Sequence, residues 1–379
     1  MRVSVLQENL AKGLGIVSRA VESRPTLPVL GHVLLATEDS RLRLSAMDMG
    51  LGMSITCWIG ARVEQPGAIT LPARTLADLV NNLAPERVDL TLDLATLTVN
   101  VRCGATVSNI KGIDAGEFPL VPDGGADDVV LAGAALKEMI HHTAFAAAKE
   151  DNRPILTGVY IEINGSTLTM AAADGYRLAV RTTELERAFS APFSMVVPAR
   201  ALAEVGRIIS EDDDEVSITL PGDREVALFN MKNALVSAQV LAGKFPDFTA
   251  IIPRSYSTET VLYTSDLLRA CKRAEIFARD SAGSAQFVVK PPQAAGEPGE
   301  VVLVGRSNER GDNTGMLDAT VEGEPLDISF NIRYLIDVLN VISDEKVVFQ
   351  SSGPANPGVI RPLDRGDFVH VIMPMARSG

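Results

Sequence analysis

The sequence predicts an α+β protein built from three tandem copies of one domain, each with two helices packed on antiparallel sheets. Three observations predict it. Motif pairs recur in one order at nearly one spacing, helical periodicity returns at two places in each copy, and alternating strand-like runs fill the rest.

The repeat comes first. Arg24-Pro25 in "RPTLPVL" returns as Arg153-Pro154 in "RPILTGVYIE", 129 residues later. "AMDMGLGMSI" aligns with "AADGYRLAV", Asp48 to Asp174 being 126 residues. "LPARTLADLV" returns as "VPARALAEVG" (Arg74 to Arg200, 126), and "AGEFPLVP" as "AGKFPDFTAIIP" (Phe118 to Phe245, 127). A period of about 125–130 residues is too long for a solenoid unit and has the size of a whole domain. The third copy is fainter: "FNIRYLIDVLNVI" matches the PAR helix, "HVIMP" falls where the Phe-Pro element belongs, and Asn308 takes the place of the aspartate. The copies are read as 1–124, 125–253 and 254–379.

Within copy one, Leu10, Leu14, Val17 and Val21 stand at helical spacing. Residues 134–149 and 265–279 take that place in copies two and three, the latter opened by Thr264-Ser265-Asp266 as cap candidates. Strands follow, with Asn164-Gly165 as a hairpin turn. A second helix comes next (73–84, 199–210, 331–343), and alternating runs such as "LTLDLATLTVNVR" close each copy.

With 46% hydrophobic and 22% charged residues, the chain has enough apolar material for a real core, and 5% aromatics leave that core to Leu, Val, Ile and Ala. Cys57, Cys103 and Cys271 show no metal spacing and are odd in number, which points to a reduced, cytoplasmic protein. There is no signal-peptide pattern and no run long enough to span a membrane.

A net charge of −13 argues against a nucleic-acid partner, but a sum hides distribution. The predicted helical regions hold twelve basic residues (Lys12, Arg19, Arg74, Lys137, Lys149, Arg200, Arg207, Arg269, Lys272, Arg273, Arg279, Arg333) and seven acidic ones, a net of +5. The remainder carries −18. Lys and Arg are good helix formers, but so is Glu, which here goes elsewhere. The pattern reads as a basic inner face on an acidic body.

Taken as a set, "RPTLPVL", "PARTLADL", "ADGYRLAV", "KFPDF", "FNIRYLIDVLN" and "VIMPM" resemble, in order and spacing, the bacterial DNA polymerase III beta-subunit family, the β sliding clamps. The resemblance runs from end to end. It implies a non-catalytic processivity factor of DNA replication, without cofactor or metal, acting in the cytoplasm at the nucleoid. It also implies a head-to-tail homodimer closing into a ring lined by twelve helices. Twelve helices spaced ~10 Å apart leave a clear hole of about 28 Å, against about 9 Å for six. A duplex about 20 Å across fits the larger ring with room to slide.

On this resemblance Arg24, Lys149, Arg153, Arg200 and Arg273 are the candidates for contact with duplex DNA, through phosphates and without base information. For each arginine of an Arg-Pro pair, a plain loop-to-strand corner is the competing account. The resemblance further implies a peptide groove for the polymerase, clamp loader and repair proteins. Its residues here are Leu156, Gly175, Tyr176, Arg177, Leu178, Pro246, Ile251, Asn331, Tyr334, Val371, Met373, Pro374 and Met375. Methionines suit a groove that takes several partners; the alternative is that these residues merely pack copies two and three. The resemblance also implies a dimer seam joining the edge strand of copy one to that of copy three, here at Val107 and Ser108 of copy one and Ile276 and Phe277 of copy three. Departures from the family pattern are the "ARSG" tail, Ala376 and Ala250 where basic residues are usual, and Ser108 where an aromatic often stands.

Two rivals remain: a clamp-like paralogue with altered partners, and a hydrolase or phosphotransferase using Asp48 and Asp174, or His141-His142. Aspartates in such contexts are commonly turn residues, and His141 and His142, being adjacent on a helix, do not share a face. "EDDDE" (211–215) reads as a solvated loop.

Overall fold

The computed structural model describes residues 1–125, 128–150, 152–210, 214–221, 225–294 and 297–376. Most of the "EDDDE" run and the last three residues of the "ARSG" tail lie outside the described residues. Six α-helices occur among those described: α1 (Gln7–Val17), α2 (Ala73–Asn81), α3 (Gly133–Thr143), α4 (Ala199–Ile208), α5 (Thr264–Ala278) and α6 (Ile332–Val341). All strand pairings are antiparallel.

The chain forms two compact units. One comprises Met1–Lys137 with Arg200–Val240, the other Glu138–Ala199 with Leu241–Gly379. Each unit takes part of the second copy, because a sheet in each runs across a junction between copies. In the first unit an eight-stranded sheet joins Ala234–Gln239 of copy two to Met53–Gly60 of copy one, with Val236 opposite Ile55. In the second, a twelve-stranded sheet joins Phe368–Ile372 of copy three to Arg177–Glu184 of copy two, with Phe368 opposite Arg181. The closing strand of one copy thus completes the sheet of the copy before it. A five-stranded sheet in the first unit ends on the strand Thr106–Lys111.

Helix α1 buries Leu10, Leu14 and Val17 as the periodicity predicts, and Gly13 lets it lie close to the sheet. A Cβ there would stand 2.7 Å from Leu44 Cδ1. Val21 is not helical, because the 3-10 turn Ser18–Ala20 ends the helix and leaves it extended. Residues 144–149 leave α3 in the same way, through the turn Ala144–Ala146. The cap expected at Thr264 is also absent. Thr264 is already the first residue of α5, and its hydroxyl donates instead to the Asp344 carbonyl at 2.7 Å.

The Asn164-Gly165 hairpin stands as predicted, with Gly165 at φ +61° between Gly158–Asn164 and Thr167–Ala173. Both Arg-Pro corners lead into a 3-10 turn, Pro28–Gly31 and Pro154–Thr157, directly ahead of a strand. The core is more aromatic than the composition suggested. Phe229, Phe287, Phe330, Phe349 and Phe368 are among the largest fully buried side chains, so the few phenylalanines are concentrated where they bury most area.

Candidate functional site

In the second unit, the aspartate turn of copy two carries the candidate groove. Asp174 Oδ1 accepts from the Tyr176 and Arg177 amides at 2.9 and 3.0 Å, and Gly175 takes φ +93°, a conformation that favours glycine. The turn is followed by the strand Arg177–Glu184, which pairs Leu178 with Val371. Beyond that pair the chain runs on so that the Met373 amide donates to Tyr176 O at 2.8 Å, and the Met375 amide to Ser329 O at 2.8 Å. Tyr176 is 65% exposed and Met373 41%, so two backbone-bonded residues each present a large apolar side chain to solvent.

Beneath them lies a buried cluster of Leu156, Leu178, Val371, Ala171, Ala173, Phe245 and Phe248. Tyr160 stacks on Phe245 at 5.4 Å. Pro246 is exposed between the two phenylalanines, and Ile251 is 40% exposed after them. Ala250, where a basic residue was looked for, is exposed, as is Ala376. Asn331 caps α6, accepting from the Arg333 amide at 3.1 Å. Tyr334 lies half-buried one turn into that helix, its phenol pushed up by burial and then by the nearby Asp174. Pro374 and Met375 are half-buried. Of the thirteen candidate residues, Leu156, Leu178 and Val371 therefore lie in the buried cluster, and Gly175, Tyr176, Pro246, Ile251 and Met373 are exposed.

Arg177 is buried, its side chain only 4% exposed. Its guanidinium donates to Asp174 Oδ2 (3.0 Å), Asp337 Oδ2 (2.6 Å) and Phe145 O (2.9 Å), and lies over the Tyr334 ring at 4.5 Å. A neighbouring network joins Arg181 to Glu138 and Asp367, and Arg365 to Glu138, Asp344 and Asp367.

Arg24, Lys149, Arg153, Arg200 and Arg273 are all exposed, and none forms an ion pair among the described residues. Lys149 lies in a loop and not in a helix. The helical charge excess shrinks on inspection. Arg19 and Arg279 fall in 3-10 turns, leaving nine basic and seven acidic residues in the six helices, a net of +2. Arg74, Arg207, Arg269 and Arg333 pair with the helical acids Asp78, Glu204, Asp266 and Glu275. Those remaining unpaired include Lys12 and Lys272, both exposed, which sequence reasoning counted but did not single out.

The seam candidates occupy two open edges. Among the described residues Thr106–Lys111 pairs only with Thr98–Cys103, leaving its far side without a strand; Val107 is 50% exposed on it and Ser108 is half-buried. Ile276 is 52% exposed and Phe277 half-buried on the last turns of α5, which packs on the strand Gly311–Gly323. Residues 311–319 of that strand pair with Gly299–Ser307 on one side and with no strand among the described residues on the other. Met316, 67% exposed there, was missed in the sequence, where nothing set it apart from a core methionine.

The rival chemistry finds no support in the placement of its residues. Asp48 Oδ1 accepts from the Leu51 amide at 2.9 Å, the same turn duty as Asp174. In copy three Ser307 performs it, accepting from Glu309 and Arg310, in place of Asn308, because a hydroxyl oxygen one residue earlier serves equally. His142 is buried with Nε2 2.9 Å from Val341 O, while His370 is fully buried. Cys57 and Cys271 are buried, their thiols pushed up to about 11 and about 12 by desolvation. Among the described residues no helix is long and apolar enough to cross a membrane.

Family models for the N-terminal, central and C-terminal domains of the DNA polymerase III beta subunit match residues 1–122, 130–247 and 249–376. The chain belongs to the beta sliding clamp family. The beta sliding clamp of Synechococcus elongatus is 32% identical over 379 residues, covering 99% of each chain, and that of Bacillus subtilis 30% identical, again covering 99% of each. The crystal structure of the Bacillus subtilis sliding clamp superposes with a TM-score of 0.92 at 28% identity, covering 100% of both chains. A Pseudomonas aeruginosa clamp bound to griselimycin does so at 0.91 and 29%, covering 100% of both. Three tandem clamp domains, with helices on antiparallel sheets, are the family's fold. This clamp is a processivity factor of DNA replication and not a catalyst.

Proposed function

We propose that two copies of this chain close head to tail into a ring that encircles duplex DNA and slides on it. The ring tethers the replicative polymerase and docks the clamp loader and repair proteins through the Tyr176–Met373 groove. The carrying observation is the pattern of joints. Twice within the chain, the closing strand of one copy pairs with the strand after the aspartate turn of the copy before. Two members of that pattern are left without partners among the described residues: Thr106–Lys111 of copy one and residues 311–319 of copy three. A second chain, turned head to tail, supplies each with the other, and two such seams satisfy every member. The copies are taken as 1–124, 125–253 and 254–379, and the ring as acting at the nucleoid in the cytoplasm.

Exposed, unpaired cations at Arg24, Lys149, Arg153, Arg200 and Arg273 suit a non-specific, salt-sensitive hold on phosphates. On a nicked circle, protein placed by a clamp loader should remain through gel filtration and be lost when the circle is cut once. Retention after cutting would mean ordinary contact binding and would end the ring reading. Reversing the charge of Arg24, Lys149 and Arg153 together should lower the salt at which DNA association fails while leaving the dimer intact. An unchanged salt profile would remove all three from the DNA-facing set. Griselimycin, carried by the Pseudomonas relative, is expected to occupy the Tyr176–Met373 face.

A further inference from the structure

The aspartate turn is common to copies one and two, but its surroundings are not. In copy one the loop Met49–Gly52 contains no arginine, and Asp48 holds the turn with backbone bonds alone. In copy two the turn is also gripped from outside, since Arg177 reaches α6 through Asp337 and the 3-10 turn Ala144–Ala146 through the carbonyl of Phe145. Asp337 and Tyr334 lie one helical turn apart on α6, and both touch the same guanidinium. The position matching Asp337 on the helix α4 is Glu204, which binds Arg19 and Arg207 instead, and that matching Tyr334 is Ala201. The fold therefore makes this turn without the clamp. Between these two copies the clamp is present where the exposed Tyr176–Met373 pair stands, and in copy three the corresponding Arg310 pairs with Asp280, just after α5, rather than with α6.

We infer that Asp337 is a positioning residue of the groove, acting through Arg177. Its carboxylate holds the guanidinium against Tyr334, and the guanidinium holds the turn whose Tyr176 carbonyl receives the Met373 amide. Tyr334 on one side and Tyr176 with Met373 on the other are thereby kept at a fixed separation. A planar fork with five donors suits this, because it bonds in its plane and stacks on its face at once. The inference rests on the groove reading above.

The test is griselimycin affinity for the full-length dimer, with thermal midpoint and the Arg177 Nε–H resonance as companion readouts. Asp337→Asn should weaken binding about tenfold, the cost expected when a charge-assisted bond becomes a neutral one. It should shift the Arg177 resonance, lower the thermal midpoint slightly and leave dimer mass unchanged. Asp337→Glu, which restores the charge, should recover affinity to within about threefold of wild type. Wild-type affinity in Asp337→Asn, alongside loss of binding in Tyr176→Ala, would overturn this role and leave the groove standing. A loss of affinity without movement of the Arg177 resonance would overturn it too, since Asp337 would then act otherwise than through Arg177. No binding by the wild-type protein would remove the groove and this role with it.

Discussion

Ile276→Asp should convert the protein to a monomer in gel filtration with light scattering. The buried stripe of α5 runs through Leu267, Ala270, Cys271, Ala274 and Ala278; Ile276 lies off it and is half-exposed in the single chain. A large apolar residue on that face, beside an open strand edge, is what the proposed seam would cover. An aspartate there loses the apolar contact and buries a charge without a counterion, at about 3 kcal/mol per seam. A head-to-tail ring has two seams, so the cost is about 6 kcal/mol, more than four orders of magnitude in the dimer Kd. Met316→Asp should act in the same direction and more weakly. Met316 shares its strand face with the exposed Asp312 and Asp318, on the side of the sheet away from α5. An Ile276→Asp protein that stays dimeric at micromolar concentration would move the seam elsewhere.

Legibility in the sequence followed physical range. The aspartate turns and the Asn164-Gly165 hairpin are local patterns, and each stands where it was read. Helix ends were less legible. Val21 and residues 144–149 kept helical spacing, yet 3-10 turns end α1 and α3 before them. Thr264 looked like a cap, and only the tertiary neighbour Asp344 draws its hydroxyl away. Charge segregation was overstated for a related reason. A count along the chain does not reveal that Arg74, Arg207, Arg269 and Arg333 are answered by acids on the helices. At the groove, Tyr176 and Met373 came from the family resemblance, while the burial of Arg177 was invisible. It depends on Asp337, 160 residues downstream, and no sequence period links the two.

Lowering the pH from 7.5 to 5 should destabilise the second unit, and His370→Leu should remove a large part of that loss. His370 is 0% exposed on the strand Phe368–Ile372, its ring tilted against Phe145 at 5.5 Å. Neither ring nitrogen has a hydrogen-bond partner among the described residues. Burial, reinforced by the cation of Arg177, brings its pKa down from 6.5 to about 3. Below pH 6.5 the unfolded chain therefore binds a proton that the folded chain refuses, so stability falls as pH drops from 6.5 toward 3 and is flat above 6.5. At pH 5, a histidine kept neutral in the fold but titrating at its ordinary pKa when unfolded costs about 2 kcal/mol. His142, shifted down by burial, adds in the same direction. Asp367, held below the usual carboxylate range by Arg365 and Arg181 against its desolvation, loses its contribution only in more acid solution. The chain provides its own control, since all five tyrosines lie in the second unit and the single tryptophan, Trp58, in the first. Urea unfolding monitored by tyrosine absorbance should show the pH-dependent loss. Tryptophan fluorescence should show less, because the first unit holds only His32, hydrogen-bonded to Thr70. An unchanged pH slope in His370→Leu would mean that the ring takes up its proton inside the fold, where Arg177 lies close enough to oppose it.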